Sequence, residues 1–228
     1  TAVLQDIDTV YITFQPDLAV PSAAETITKF TTLATQQGVQ KMVLLSGRGE
    51  KEAQICEEIV KDNVKNWTIV RASWFSQNFS ESFFLDPILA GIVALPRAEA
   101  LEPFIDADDI ADVVVKALLE DNHNGRTYEL TGPELLTFEQ AVNAIAKASG
   151  RTVRFQGLTL KEYTGMLEEY QIPEDHIWLV HYLFEQVLDG RNSYVTHDIE
   201  KVLGRKAKSF TDYAEQTAKT RIWNSVNI

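Results

Sequence analysis

The sequence predicts an α/β protein with a doubly wound parallel sheet and a smaller, mostly α C-terminal lobe. Three short segments carry the first half of that statement: Thr9 to Phe14, Lys41 to Leu45 and Trp67 to Arg71. Each is apolar on both faces, as strands buried under helices on both sides must be. Amphipathic helical stretches separate them, and strand, helix, strand, helix, strand is the doubly wound order. Beyond Gly132 the pattern is mostly helical, so the expected division is 1–132 for the sheet domain and 133–228 for the lobe, intertwined at the boundary.

Taken in order, the first helix follows Pro21 and opens on Ser22 and Glu25, which the spacing reads as a capping box. Gly38 sits where a helix C-terminus favours glycine. The second helix runs from about Glu50 to Asp62, with Ala53, Cys56, Ile59 and Val60 on one face. Asp106 opens a third, through Ile110, Val113, Val114, Ala117 and Leu118, with Asp108 and Asp109 against the positive end of its dipole. That placement favours capping over a metal cluster for the three acids. A strand is expected at Thr127 to Leu130, then a capping box at Thr137 and Gln140, a helix ending near Gly150, and a strand at Thr152 to Phe155. Thr159 and Glu162 open the next helix, and Pro173 to Leu188 and Ser209 to Trp223 are helical again.

Composition narrows the function classes. The net charge of −12 opposes a phosphate backbone, and no local basic patch offsets it, which argues against nucleic-acid binding. Apolar runs such as Met42 to Leu45 are far shorter than the ~20 residues a membrane span needs. Cys56 is the sole cysteine, too few for an internal disulfide or a thiolate zinc site, and a cytoplasmic setting is expected.

No glycine precedes Gly38, and neither Gly-x-Gly-x-x-Gly nor a phosphate-loop sequence occurs. Gly47-Arg48-Gly49 lacks the third glycine and reads as a loop. In the strand order 3-2-1-4-5-6 the strand at Thr9 would be the fourth, with a bare edge. The native polypeptide is therefore expected to extend about 60 residues further toward the N-terminus, enough for the glycine turn that a dinucleotide pyrophosphate needs.

Five stretches, in order, resemble the NmrA-like proteins, atypical short-chain dehydrogenases: Asp8 to Ile12, KMVLLSG from Lys41, WTIVRASWFSQNF from Trp67, PFIDADDIADV from Pro103 and YELTGPELLTF from Tyr128. WFSQNFSESFFLD from Trp74 and the region of Pro173 are most similar to the ergot alkaloid dehydrogenase-like branch. The resemblance covers nearly the whole chain. It implies a Rossmann-type fold binding NADP or NAD in the full-length protein. Some members reduce quinones or iminium-type substrates, and others are redox-sensing regulators.

Carried over by position, the cofactor residues would be Phe14, Gln15 and Pro16 after the first strand, Ser46 and Gly47 after the second, and Ala72, Ser73, Trp74 and Phe75 after the third, with Asn78 one turn on. Open parallel sheets bind ligands beyond the carboxyl ends of their strands, and those residues lie there. Each has a plainer reading too: turn chemistry for Ser46, core packing for Trp74 and Phe75, a helix-end cap for Asn78. Trp74, Phe79, His176 and Tyr182 are the candidate substrate-pocket residues, although a histidine such as His176 or His181 on such a face is more often structural. Cys56 reads as packing.

Ordinary short-chain dehydrogenases carry Tyr-x-x-x-Lys after this second strand, with the tyrosine as proton donor. Here the region reads EKEAQICEEIVK, without tyrosine, and Ser46 is the candidate catalytic residue as a donor to a substrate carbonyl. The leading expectation is an NAD(P)H-dependent oxidoreductase transferring hydride to a small planar electrophile such as a quinone or imine. The alternative is a non-catalytic NAD(P) redox sensor acting through a protein partner. A homodimer is compatible with either.

Overall fold

The computed structural model describes residues 2–224, which form two compact units. Among the described residues the first comprises 2–72, Asp108–Leu130 and His197–Arg205; the second comprises Ser73–Ala107, Thr131–Thr196 and 206–224.

In the first unit four strands form a parallel sheet in the order β1 (Thr9–Ile12), β2 (Lys41–Gly47), β3 (Asn66–Ala72), β5 (Arg126–Leu130). The fourth strand of this sheet extends it beyond the three apolar segments. Met42, Leu44 and Ile69 share one face with α1 (Ala23–Gln36) and α2 (Lys51–Asn63), and all three are fully buried. Val43 and Val70 alternate to the opposite face and are fully buried as well, so β2 and β3 are covered on both sides. Burial of each such side chain contributes roughly 1.5–3 kcal/mol. The expectation of two-sided burial does not extend to β1. It is the end strand of the sheet, and Tyr11 is 38% exposed. α4 (Ala107–Leu119) buries Ile110, Val113, Val114 and Ala117, and α8 (Asp198–Leu203) follows β5 in space, with Asp198 accepting from the Glu129 amide at 2.9 Å.

One local expectation fails in this unit. Ser22 does not cap α1: its backbone is already helical (φ −81°, ψ −11°) and its side chain makes no capping bond. A capping serine needs an extended backbone to turn its oxygen onto the amides of the first turn. Here a turn runs directly into the helix, with the Ala23 amide donating to Val20 O at 3.0 Å, and Glu25 pairs with Lys29 instead.

The second unit holds a short parallel pair, β4 (Ile92–Leu95) with β6 (Arg154–Gly157), and α3 (Leu85–Ala90), α5 (Phe138–Ser149), α6 (Leu160–Glu169), α7 (Glu174–Tyr182) and α9 (Phe210–Lys219). The sequence shows neither α3 nor β4 as a separate element, and α7 passes into a π-helical turn at Leu183–Val187. Both capping boxes expected here are present: Thr137 with Gln140 and Thr159 with Glu162, on N-cap residues with extended backbones. The core is aromatic. Phe79, Phe84, Phe104, Phe138, Phe210 and Trp223 are at most 2% exposed, and Trp223 Nε1 donates to Phe79 O at 2.8 Å.

Candidate active site

Parallel pairing brings the carboxyl ends of β1, β2 and β3 to one rim, with Ile12 opposite Leu44 and Gly47 opposite Ala72. Beyond β1, Phe14 is half-buried, Gln15 and Pro16 are exposed, and the peptide between the last two is cis. Asp17 follows, half-buried, its Oδ1 accepting from the Ala19 amide at 2.8 Å. Beyond β2 the chain turns through Arg48, Gly49 (φ +75°) and Glu50 into α2, with the Arg48 amide tied to Ala72 O at 3.1 Å.

Behind the rim lies a buried ion network. Glu57 projects from the apolar face of α2 and is fully buried. It accepts from Arg71 Nε at 2.8 Å, Arg71 Nη2 at 2.6 Å and Ser46 Oγ at 2.8 Å. Those bonds to Glu57 raise the Arg71 guanidinium above its ordinary range. Arg71 also reaches Glu129 on β5 at 3.4 Å, and Arg48 lies 3.6 Å from the same carboxylate. A carboxylate without solvent is tolerable only with such bidentate pairing.

This geometry corrects the reading of Ser46 as a donor to substrate. The residue is 4% exposed, and its single hydroxyl proton is committed to Glu57. Ser46 ties α2 to the sheet.

Glu50 is the more unusual group. Its carboxyl is 7% exposed and folds back over the end of β2, so that a Cβ on Gly47 would lie 2.0 Å from Glu50 Oε1. Its Oε2 is buried without a hydrogen bond. Burial pushes the Glu50 carboxyl well above the ordinary carboxylate range, and the Asp17 charge and hydrogen bond, then Glu52 and Glu57, act in the same direction.

In the second unit, Ser73, Trp74 and Phe75 run along residue 105: the Ile105 amide donates to Trp74 O at 3.0 Å and the Ser76 amide to Ile105 O at 2.7 Å. Trp74 is half-buried, stacked on Phe84 at 6.2 Å and edge-on to Phe138 at 5.4 Å. Asn78 sits half-buried in the 3-10 turn Ser76–Phe79. Phe79 is fully buried among Phe84, Phe104 and Phe210, so its role is packing, and the expectation that it lines a pocket is corrected. His176 is exposed beside Asp175, and Tyr182 stacks on Trp178 at 5.6 Å. An open groove of about 560 Å³ is lined by Leu160, Lys161, Thr164, Gly165, Glu168 and His181; it takes the neighbouring histidine, not His176. Cys56 is fully buried on the packed face of α2. Among the described residues no acidic, histidine or cysteine group could hold a metal ion, and no helix is long and apolar enough to cross a membrane.

Sequence reasoning passed over Asp17, Glu50 and the Glu57–Arg71 pair. The signal for Glu57 was present: it shares the stripe of Ala53, Cys56 and Val60, where a lone charge must find a partner. Nothing local marks Glu50, whose partner is 33 positions earlier.

A parallel sheet with helix crossovers, whose strand ends converge on a polar rim, defines the class of Rossmann-type α/β proteins. The chain belongs to the NmrA-like family, whose model matches residues 50–217. It is 26% identical over 216 residues to prestalk A differentiation protein A of Dictyostelium discoideum, covering 94% of this chain and 71% of the relative. It is 26% identical over 220 residues to agroclavine dehydrogenase of Claviceps fusiformis, covering 92% and 74%. Among solved structures, the NADPH-dependent quinone oxidoreductase QOR2 of Escherichia coli, complexed with NADPH, superposes with a TM-score of 0.80 at 18% identity, covering 94% of this chain and 78% of that one. That last likeness establishes the fold.

Proposed function

We propose that the protein is an NAD(P)H-dependent oxidoreductase that reduces a small planar electrophile such as a quinone or an imine. The observation that carries this reading is the rim itself: three parallel strand ends carrying half-buried Phe14, exposed Gln15 and Pro16, and a buried carboxyl folded over Gly47. Family membership supports it, as do relatives named as a dehydrogenase and a quinone oxidoreductase.

The residues present fit the nicotinamide end of a dinucleotide. Phe14 and Pro16 offer apolar surface to a flat ring, Gln15 an amide, and Glu50 a buried carboxyl oxygen with hydrogen-bonding capacity to spare. Phe14, Gln15, Pro16, Ser46, Gly47 and Ala72 are the proposed cofactor residues at the strand ends of the first unit, and Ser73, Trp74, Phe75 and Asn78 are those proposed in the second. Of these, Ser46 contributes through its backbone, since its side chain is engaged. Trp74 and Tyr182 are retained as proposed substrate contacts, with His176 at the margin. The dinucleotide, when bound, supplies the hydride; the protein orients the partners and excludes water.

Calorimetry with NADPH and NADH, followed by cofactor oxidation with a panel of quinones and imines, tests the proposal. Turnover with at least one class is expected. Tight binding without turnover across the panel would refute it in favour of a dinucleotide-binding regulator, a reading favoured by the missing tyrosine in α2 and by the engaged Ser46 hydroxyl.

A further inference from the structure

Reduction of a quinone or a neutral imine consumes a proton as well as a hydride, and of the proposed cofactor residues at the strand ends of the first unit, Phe14, Gln15, Pro16, Ser46, Gly47 and Ala72, none supplies one. Tyr-x-x-x-Lys is absent from α2, and the Ser46 proton is held by Glu57. We propose that the carboxyl pair Asp17–Glu50 is the proton donor of this site. The inference rests on the oxidoreductase reading and deepens it.

Three features of the pair support it. First, the two side chains come from the loops after adjacent strands, Asp17 after β1 and Glu50 after β2, and burial of Glu50 followed by the charge of Asp17 pushes the Glu50 carboxyl up. A buried carboxyl beside a second carboxylate favours its neutral, protonated form, because two like charges at one site are costly. Second, Glu50 is placed by the backbone: glycine at 47 leaves the space its carboxyl occupies, since a Cβ there would stand 2.0 Å from Oε1. Third, Glu50 Oε2 is buried and makes no hydrogen bond, an unmet capacity that costs about 1–3 kcal/mol and that packing alone does not account for.

The surroundings keep the proton in place. The charges that act on the Glu50 carboxyl are Asp17 from the β1 loop and Glu52 and Glu57 from α2, all acidic, and Arg48 in the connecting loop lies 3.6 Å from Glu129. Burial and these charges disfavour a second ionisation, as in any pair of carboxyls that share one proton.

The step balances. A quinone that has gained a hydride from a dihydronicotinamide, itself oxidised by two electrons, is a hydroquinone monoanion. The O–H bond of the carboxyl pair breaks and the second hydroquinone O–H forms; for an imine the new bond is N–H. The pair is left doubly ionised until a proton from water replaces the one given up. An iminium cation needs no proton, because hydride alone converts it to a neutral amine.

That difference supplies the test. In the wild type and in Glu50→Gln, which copies the shape of a protonated glutamate, the ratio of quinone to iminium reduction is measured. General acid catalysis is worth roughly 10²–10⁴-fold, so the ratio should fall by that order in the variant. An unchanged ratio would overturn the proposal while leaving the oxidoreductase reading standing; a wild type inactive on both acceptors would sink both. A readout independent of turnover is infrared spectroscopy of the protein at neutral pH. One carboxylic acid C=O band, sensitive to deuteration and lost in Glu50→Gln, is expected. Its absence from the wild type would refute the assignment. Should Glu50→Gln fail to fold, Asp17→Asn serves: the Glu50 acid band should then disappear at lower pH than in the wild type, and an unmoved titration would count against the pair.

Discussion

Replacing Arg71 by alanine is the sharpest test of the network behind the rim. The substitution removes two charged hydrogen bonds to Glu57, at 2.8 and 2.6 Å, and leaves that carboxylate fully buried with Ser46 and with Lys61 at 3.8 Å. Two routes lead to the same magnitude. Hydrogen bonds to charged groups contribute about 1.5–3 kcal/mol each, hence roughly 3–6 for the two. Breaking a buried pair by deleting one partner costs about 3–5 kcal/mol, because the survivor keeps its desolvation penalty. About 3–5 kcal/mol is therefore expected, and at about 2–4 °C per kcal/mol for a chain of this size the melting temperature should fall by roughly 6–20 °C. Urea unfolding followed by circular dichroism measures it. The double variant Arg71→Met with Glu57→Leu should recover much of the loss, since neither charge then remains buried. A cost below about 1 kcal/mol for Arg71→Ala, or a double variant as costly as the two singles added, would refute the reasoning.

Glu50→Gln should change how stability depends on pH. The folded state raises the Glu50 carboxyl above its unfolded value of about 4.3, so between those two values the native protein binds the extra proton. Stability from this group is complete below the unfolded value and is lost as pH rises toward the folded one, at up to about 1.4 kcal/mol per pH unit. Wild type should therefore weaken relative to Glu50→Gln as pH climbs from 4, and parallel unfolding curves across that range would contradict it. Thr137→Ala and Thr159→Ala should each cost about 1 kcal/mol in urea unfolding, whereas Ser22→Ala, which breaks no capping bond, should stay within about 0.5. Gly132→Ala should destabilise by about 1–3 kcal/mol or more, because its Cβ would meet the Phe104 carbonyl at 2.0 Å and a backbone atom cannot step aside; a neutral result in thermal melts would show that the segment yields.

Much of the fold was legible because its signals are local. Two-sided apolar runs mark β2 and β3, and Gly38 and Gly150, both at positive φ, mark where α1 and α5 stop. Thr137 and Thr159 cap their helices with partners three residues on, so the pattern alone suffices. Ser22 and Glu25 show the same pattern without the bond, because backbone conformation at Ser22, set by the turn before it, decides which way the side chain points. The site was read only in outline. Strand ends follow from strand order, but what stands on them does not.

The sequence by itself determined the alternation of strands and helices, the strand ends that meet at one rim, and the family, since all three rest on period, spacing and short motifs. Only the tertiary structure decided the state of the individual groups. Ser46 spends its hydroxyl hydrogen bond on Glu57, eleven residues away, and Phe79 closes into the aromatic core. Burial pushes the Glu50 carboxyl up, and Asp17, from the loop after the adjacent strand, acts in the same direction. Charge and hydrogen bonding depend on desolvation and on neighbours within a few ångströms, and those neighbours are chosen by packing, not by order along the chain.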